Sequence, residues 1–166
     1  MSSVKLMWSD IVSPIMTRDE YDTKFKDEAP IQENYSEYIP KSEVIKKISD
    51  ILSSKNKTIK ILAMGAAWCK DCKIQIPHLL KIVDALPSER IAVRFLYGIK
   101  TDPYRKPGDV KWSERHSPPE AVNPKFAVNK IPMIYFFNGS GALLDMIEER
   151  PHKYPTIEEE LLASLE

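Results

Sequence analysis

Residues 59–80 read IKILAMGAAWCKDCKIQIPHLL. The first six, IKILAM, form a short apolar run suited to a buried strand, and the segment after Trp68 carries apolar residues at helical spacing up to Pro87. Between strand and helix lie Cys69 and Cys72, the protein's two cysteines. Random placement in a chain of 166 residues puts two cysteines three apart about one time in 84. On a helix running from Cys69, the helical repeat sets both sulfurs along the apolar stripe of Ile76, Leu79, Leu80 and Val83. Cys69 then falls at the helix N-terminus, where free N–H groups and the macrodipole favour a thiolate, and Cys72 lies one turn deeper. One accessible nucleophile and one recessed thiol are what dithiol exchange requires. Two merely structural thiols would explain neither the spacing nor the position.

Working outward, Ser42 is expected to cap a helix with apolar residues Val44, Ile45, Ile48, Ile51 and Leu52, ending near residues 55–57. Residues 91–97, IAVRFLY, alternate as a strand. A long loop is expected from Gly98 to Pro119, then a short helix over 120–128. Two apolar runs, 132–138 and 142–147, are joined through Asn138-Gly139-Ser140-Gly141, a hairpin signal, and Thr156 with Glu159 opens a final helix. Parallel strands joined by helices, followed by an antiparallel pair, predict an α/β fold with a central mixed sheet and helices on both faces. Before this pattern, Thr17 and Glu20 form a capping box for a helix through Tyr21 and Phe25, and residues 29–40 read as an irregular surface connection.

Composition narrows the function. The chain has 24 basic and 24 acidic side chains, so it lacks the basic surplus of a protein devoted to nucleic acid. The charge is uneven: −4 over residues 1–40, +9 over 41–144 and −5 over 145–166. No stretch reaches the roughly 18 apolar residues of a membrane span, and the first sixteen residues are broken by Ser, Asp and Pro14, so a cytoplasmic chain without membrane association is expected. Thiols are kept reduced in that compartment, which favours a working pair over a structural bridge. Glycine-rich phosphate loops, paired catalytic carboxylates and Ser/His/Asp signatures are missing from the sequence. His78 falls on the side of the cysteine helix opposite Cys69, His152 follows Pro151 and is expected to be exposed, and His116 sits in the long loop. One C-x-x-C plus one loop histidine falls short of a zinc site within a single chain, so no metal or other cofactor is expected; a dimer sharing two such pairs around a metal is the weakest alternative.

Trp68-Cys69-Lys70-Asp71-Cys72-Lys73, with Pro77 five residues beyond the second cysteine and Ile131-Pro132 opening the hairpin, resembles the thioredoxin family over roughly residues 42–165. The resemblance implies a thioredoxin-like domain over 41–166 behind an N-terminal extension, 1–40. It implies Cys69 as attacking nucleophile, Cys72 as resolving thiol, and Trp68 shaping the contact surface. Pro132 would be a cis-proline facing the cysteines, the backbone of Ile131 would pair with the substrate, and Pro77 would bend the helix. The implied activity is thiol-disulfide oxidoreduction on disulfide-containing proteins by a monomer that needs an electron-donating reductase. The other reading is a non-catalytic binding or redox-sensing module.

Three departures stand out. Ala63 occupies the position of the family's buried acid, six residues before Cys69, so water, Asp71 or a loop group would have to deprotonate Cys72. Lys70-Asp71 replaces the common Gly-Pro, and each charge contributes about 1 kcal/mol at about 4 Å in water, so the two nearly cancel and the redox potential stays open. The loop before Pro132 is long, and either presents Trp112, Arg115 or His116 to a partner or tucks Trp112 onto the core.

Overall fold

The computed structural model describes residues 5–108 and 111–166; residues 1–4 of the expected extension and Asp109 and Val110 of the expected loop lie outside the described residues. Four strands, β1 (Ile59–Met64), β2 (Ile91–Leu96), β3 (Met133–Asn138) and β4 (Leu143–Glu148), make one sheet in the order β2-β1-β3-β4. β1 runs parallel to β2, pairing Ile59 with Ile91 through Met64 with Leu96, and antiparallel to β3, which in turn pairs antiparallel with β4. Successive side chains of a strand point to opposite faces, yet Ile61, Leu62, Ala63 and Met64 are all fully buried. Both faces of the sheet are therefore covered, as expected for an apolar run without alternation.

The helices are α1 (Arg18–Lys24), α2 (Ala29–Glu37), α3 (Ser42–Ser54), α4 (Cys72–Asp84) and α5 (Ile157–Leu165). α1 starts at its capping box: the Thr17 N–H donates to Glu20 Oε1 (2.9 Å), and the Glu20 N–H donates to Thr17 Oγ1 (3.2 Å). α3 begins at Ser42, but Lys41 rather than Ser42 is its N-cap, and the Lys41 N–H donates to Glu158 of α5 at 2.8 Å. Thr156 caps α5 by accepting from the Glu159 N–H.

Two expectations are corrected. Residues 29–40 are not an irregular connection: α2 occupies most of that segment, packed against α4 with Ile31 buried. Pro30 sits in the first turn, where a missing N–H costs nothing, so it marks a helix start rather than a break. Residues 120–128 do not form a helix but two short 3₁₀ turns, Pro119–Ala121 and Pro124–Phe126. Pro124 disfavours helical backbone at Asn123, whose side chain accepts from the Lys125 N–H, and Ala127 then turns left-handed at φ 51°.

Residues 5–40 are built into the molecule. Leu6, Tyr21, Phe25 and Ile31 are buried in the main core, and Tyr21 stacks on Phe95 of β2 with ring centroids 4.2 Å apart. Met16 exchanges both backbone hydrogen bonds with Phe95 (2.8 and 3.0 Å), covering the outer edge of β2. The buried Glu120 carboxylate accepts from the Val12 and Ser13 N–H groups (2.7 and 2.9 Å) and from the Ser13 hydroxyl (2.7 Å), tying this segment to the far end of the long loop.

Candidate active site

The cysteine pair sits where β1 hands over to α4. The helical placement expected for Cys69 does not hold, because α4 begins at Cys72 and Cys69 lies in the turn before it. An orphan donor of the helix start, the Cys72 N–H, points instead at Cys69 Sγ from 3.2 Å. The effect on the thiol has the expected sign. Hydrogen bonding from the Cys72 side chain and then the Cys72 N–H hold the Cys69 thiol below the usual range, against desolvation and the charge of Asp71. For Cys72 the same pairing, burial and the charge of Cys69 act together and push its thiol far up. Cys69 is the group that ionises; Cys72 keeps its proton while Cys69 is a thiolate.

Both thiols are free and both are buried, Cys69 at 5% and Cys72 at 1% exposure, so Cys69 is the outer of the two but not openly exposed. Its access is a groove of about 260 Å³ lined by Trp68, Lys70, Trp112, Lys130 and Ile131 among others. The Ile131-Pro132 peptide is cis, and the Ile131 carbonyl lies 3.8 Å from Cys69 Sγ. Trp68 is 54% exposed, yet its orientation is set by an Nε1–H bond to the Ile99 carbonyl (2.9 Å). The structure thus brings Trp68, Cys69, Cys72, Ile131 and Pro132 to one end of the sheet, although Cys69 and Ile131 stand far apart in the chain.

The long loop folds back on itself. Thr101 and Trp112 form an antiparallel bridge, and the Ser113 N–H donates to the Lys100 carbonyl at 2.8 Å. Of its three candidate residues, Trp112 is 2% exposed with its indole N–H on the Val128 carbonyl (2.7 Å), so it belongs to the core, while Arg115 and His116 are exposed. His78 is half-buried and stacked on Tyr38 (4.1 Å between centroids), and His152 is exposed. Among the described residues, no group of three or more His, Cys, Asp or Glu side chains is arranged to hold a metal, and no helix is long and apolar enough to cross a membrane.

Ala63 is fully buried and offers no acid. Two residues that the sequence reading did not place in the site stand near Cys72. A Cβ on Gly65 would lie 2.8 Å from Cys72 Sγ and 3.3 Å from Cε1 and Cζ of Tyr97. The sulfur and the phenol ring therefore border the same spot, kept clear by the missing side chain. Burial and then the neighbouring Tyr21 and Cys72 raise the Tyr97 hydroxyl well above its ordinary value, so it remains a neutral phenol. A glycine directly after a buried strand is the one sequence signal for this close approach.

A family model described as thioredoxin matches residues 16–97, a span holding both cysteines and the elements from α1 to β2. No curated protein matches the chain. Among solved structures, a protein of unknown function from Pseudomonas aeruginosa superposes with a TM-score of 0.60 at 14% identity. An HIV epitope-scaffold does so with a TM-score of 0.60 at 13% identity. In each case the match covers 95% of this chain and 88% of the other. At such identities these two structures speak for the fold alone. With the mixed sheet they support a thioredoxin-like fold, and the match of the family model over residues 16–97 supports thioredoxin-family membership.

Proposed function

We propose that the protein is a thiol-disulfide oxidoreductase that reduces or exchanges protein disulfides through Cys69 and Cys72. The observation that carries this reading is the opposite treatment of the two thiols: Cys69 held down by donors from Cys72, and Cys72 held up by burial and by Cys69. The Cys69 thiolate attacks one sulfur of a substrate disulfide. The S–S bond breaks, the second substrate sulfur leaves as a thiolate and takes a proton, and Cys69 is left in a mixed disulfide. The negative charge on Cys69 is then gone, which removes one of the causes that keep Cys72 protonated. Cys72 loses its proton and attacks Cys69 Sγ, releasing the first substrate sulfur as a thiol. The substrate has gained two electrons, and the protein carries a Cys69–Cys72 disulfide that an external dithiol reductant, such as a reductase, must reopen.

Support for Ile131 and Pro132 as substrate-contacting residues comes from their position across Cys69, and for Trp68 from its exposed ring at the mouth of the groove. The expected protein is a monomer acting in the cytoplasm. The deciding experiment is trapping: Cys72→Ser should accumulate a mixed disulfide through Cys69 with a disulfide-bearing protein, and Cys69→Ser should abolish turnover. Failure to trap any adduct would refute the mechanism. Absence of turnover in the wild type together with a redox-dependent change in partner affinity would favour the sensing module instead.

A further inference from the structure

Trp68 separates two grooves. The one that opens onto Cys69 carries Lys70, Lys111 and Lys130, with Asp71 and Glu149 as its carboxylates. The second, of about 450 Å³, has an apolar wall including Met16, Phe95, Tyr97 and Ile99, with Lys24 and Lys100 as its charged residues. Five lysines thus stand around the cysteine end of a chain whose formal net charge is zero. Glu149 is already engaged by Arg150 at 3.3 Å. Lys111 lies over the Trp112 ring at 5.0 Å, and among the described residues Lys70, Lys100 and Lys130 have no ion-pair partner. Lys73, one residue past the cysteine pair, differs from them in facing a carboxylate of its own chain, Glu28 at 3.5 Å.

Resting on the dithiol reading above, we propose that the disulfides this protein acts on lie in acidic segments, with Asp or Glu flanking the attacked cysteine and an apolar side chain seated in the groove behind Trp68. Cationic walls raise the local concentration of an anionic segment and speed its encounter with the nucleophile, an effect that reaches about tenfold or more at low ionic strength and is screened by salt. The neutral Tyr97 phenol and apolar walls behind Trp68 suit an uncharged side chain, with Lys24 and Lys100 as the charged residues of that groove. The chemistry is the same balanced exchange: the peptide disulfide is reduced to two thiols while Cys69 and Cys72 become a disulfide.

The test uses the full-length, pre-reduced protein and three synthetic peptides, each closed by one internal disulfide and differing only in flanking residues: Glu, Gln or Lys. Single-turnover reduction is followed by stopped flow at about 20 mM and about 500 mM salt. The inference expects the Glu peptide to react about tenfold faster than the Gln peptide, the Lys peptide to be slowest, and the spread to collapse at high salt. Lys111→Gln/Lys130→Gln should shrink the spread at low salt. Reduction of all three peptides at one rate, or a preference untouched by salt, would overturn the acidic preference while leaving the dithiol reading intact. No reduction of any peptide, when a small chemical dithiol reduces all three, would overturn the reading itself and this inference with it.

Discussion

Adding a single methyl group at residue 65 tests the packing around the resolving thiol. The backbone at Gly65 lies outside the left-handed region, so Gly65→Ala meets no conformational objection, and its whole effect comes from contact. The new Cβ would start 2.8 Å from Cys72 Sγ, and reaching an ordinary separation of 3.4 Å requires a movement of about 0.6 Å. Cys72 is 1% exposed and the Tyr97 ring stands 3.3 Å from the same Cβ, and the narrow space that Cys72 and Tyr97 line with Phe25 and Ile31 is too small for a water molecule, so the sulfur has little room to retreat. Overpacking of this kind costs about 1–3 kcal/mol, which at a urea m-value of about 2 kcal/mol/M lowers the unfolding midpoint by about 1 M. Displacing the attacking sulfur by that distance should also slow resolution of a preformed Cys69 mixed disulfide, by about tenfold. The assays are urea unfolding of the reduced protein and release of a chromophoric thiol from Cys69. A double-mutant cycle with Cys72→Ala isolates the contact: Gly65→Ala should cost about 1 kcal/mol less when the sulfur is gone. If midpoint and resolution rate both stay unchanged, or if removing the sulfur gives no relief, the placement of Cys72 against Gly65 is wrong.

Three further outcomes follow from the same geometry. The Cys69 thiolate should persist below the usual thiol range, so the pH midpoint of its alkylation should rise toward an ordinary value in Cys72→Ala, which removes the donating side chain; an unchanged midpoint would contradict the assigned cause. Burial pushes the Glu120 carboxyl up, but the Ser13 hydroxyl and the Ser13 and Val12 N–H groups outweigh it and lower it overall. The unfolded chain therefore binds the extra proton first as pH falls: the stabilisation is fully present above the ordinary carboxylate range and is lost as pH drops through the folded value, and Glu120→Ala, expected to cost about 3 kcal/mol at neutral pH by urea unfolding, should flatten that acid dependence. The Tyr21 hydroxyl is buried with no hydrogen-bond partner at bonding distance among the described residues, so Tyr21→Phe should leave stability unchanged or raise it by about 1 kcal/mol, whereas Tyr21→Ala should cost about 3–5 kcal/mol by losing the stack on Phe95; a comparable loss in both variants would show that the hydroxyl is satisfied.

Local signals are sufficient wherever a segment's own side chains decide its state. The capping box of Thr17 and Glu20, the apolar run 59–64 and the turn over 138–141 all lead to the elements expected of them. Residues 29–40 and 120–128 depart from expectation for one reason, which is proline. Pro30 in a first helical turn and Pro124 between two short turns look alike as sequence, and only the neighbour packed alongside separates them: α4 is there to receive α2, whereas Pro124 leaves residues 120–128 as separate short turns.

By itself the sequence determined that two thiols share one turn after a buried strand, that the acid six residues upstream is missing, and that a mixed sheet would hold the pair. Those are properties of neighbours along the chain, where spacing and side-chain type leave little choice. Tertiary structure alone decided that Cys69 lies before the helix and takes the Cys72 N–H, that Ile131 closes over it from a distant part of the chain, and that lysines from several separate segments gather around Trp68. Each of these depends on how distant segments meet, and the energy of such a meeting is set by partners that no local pattern can name.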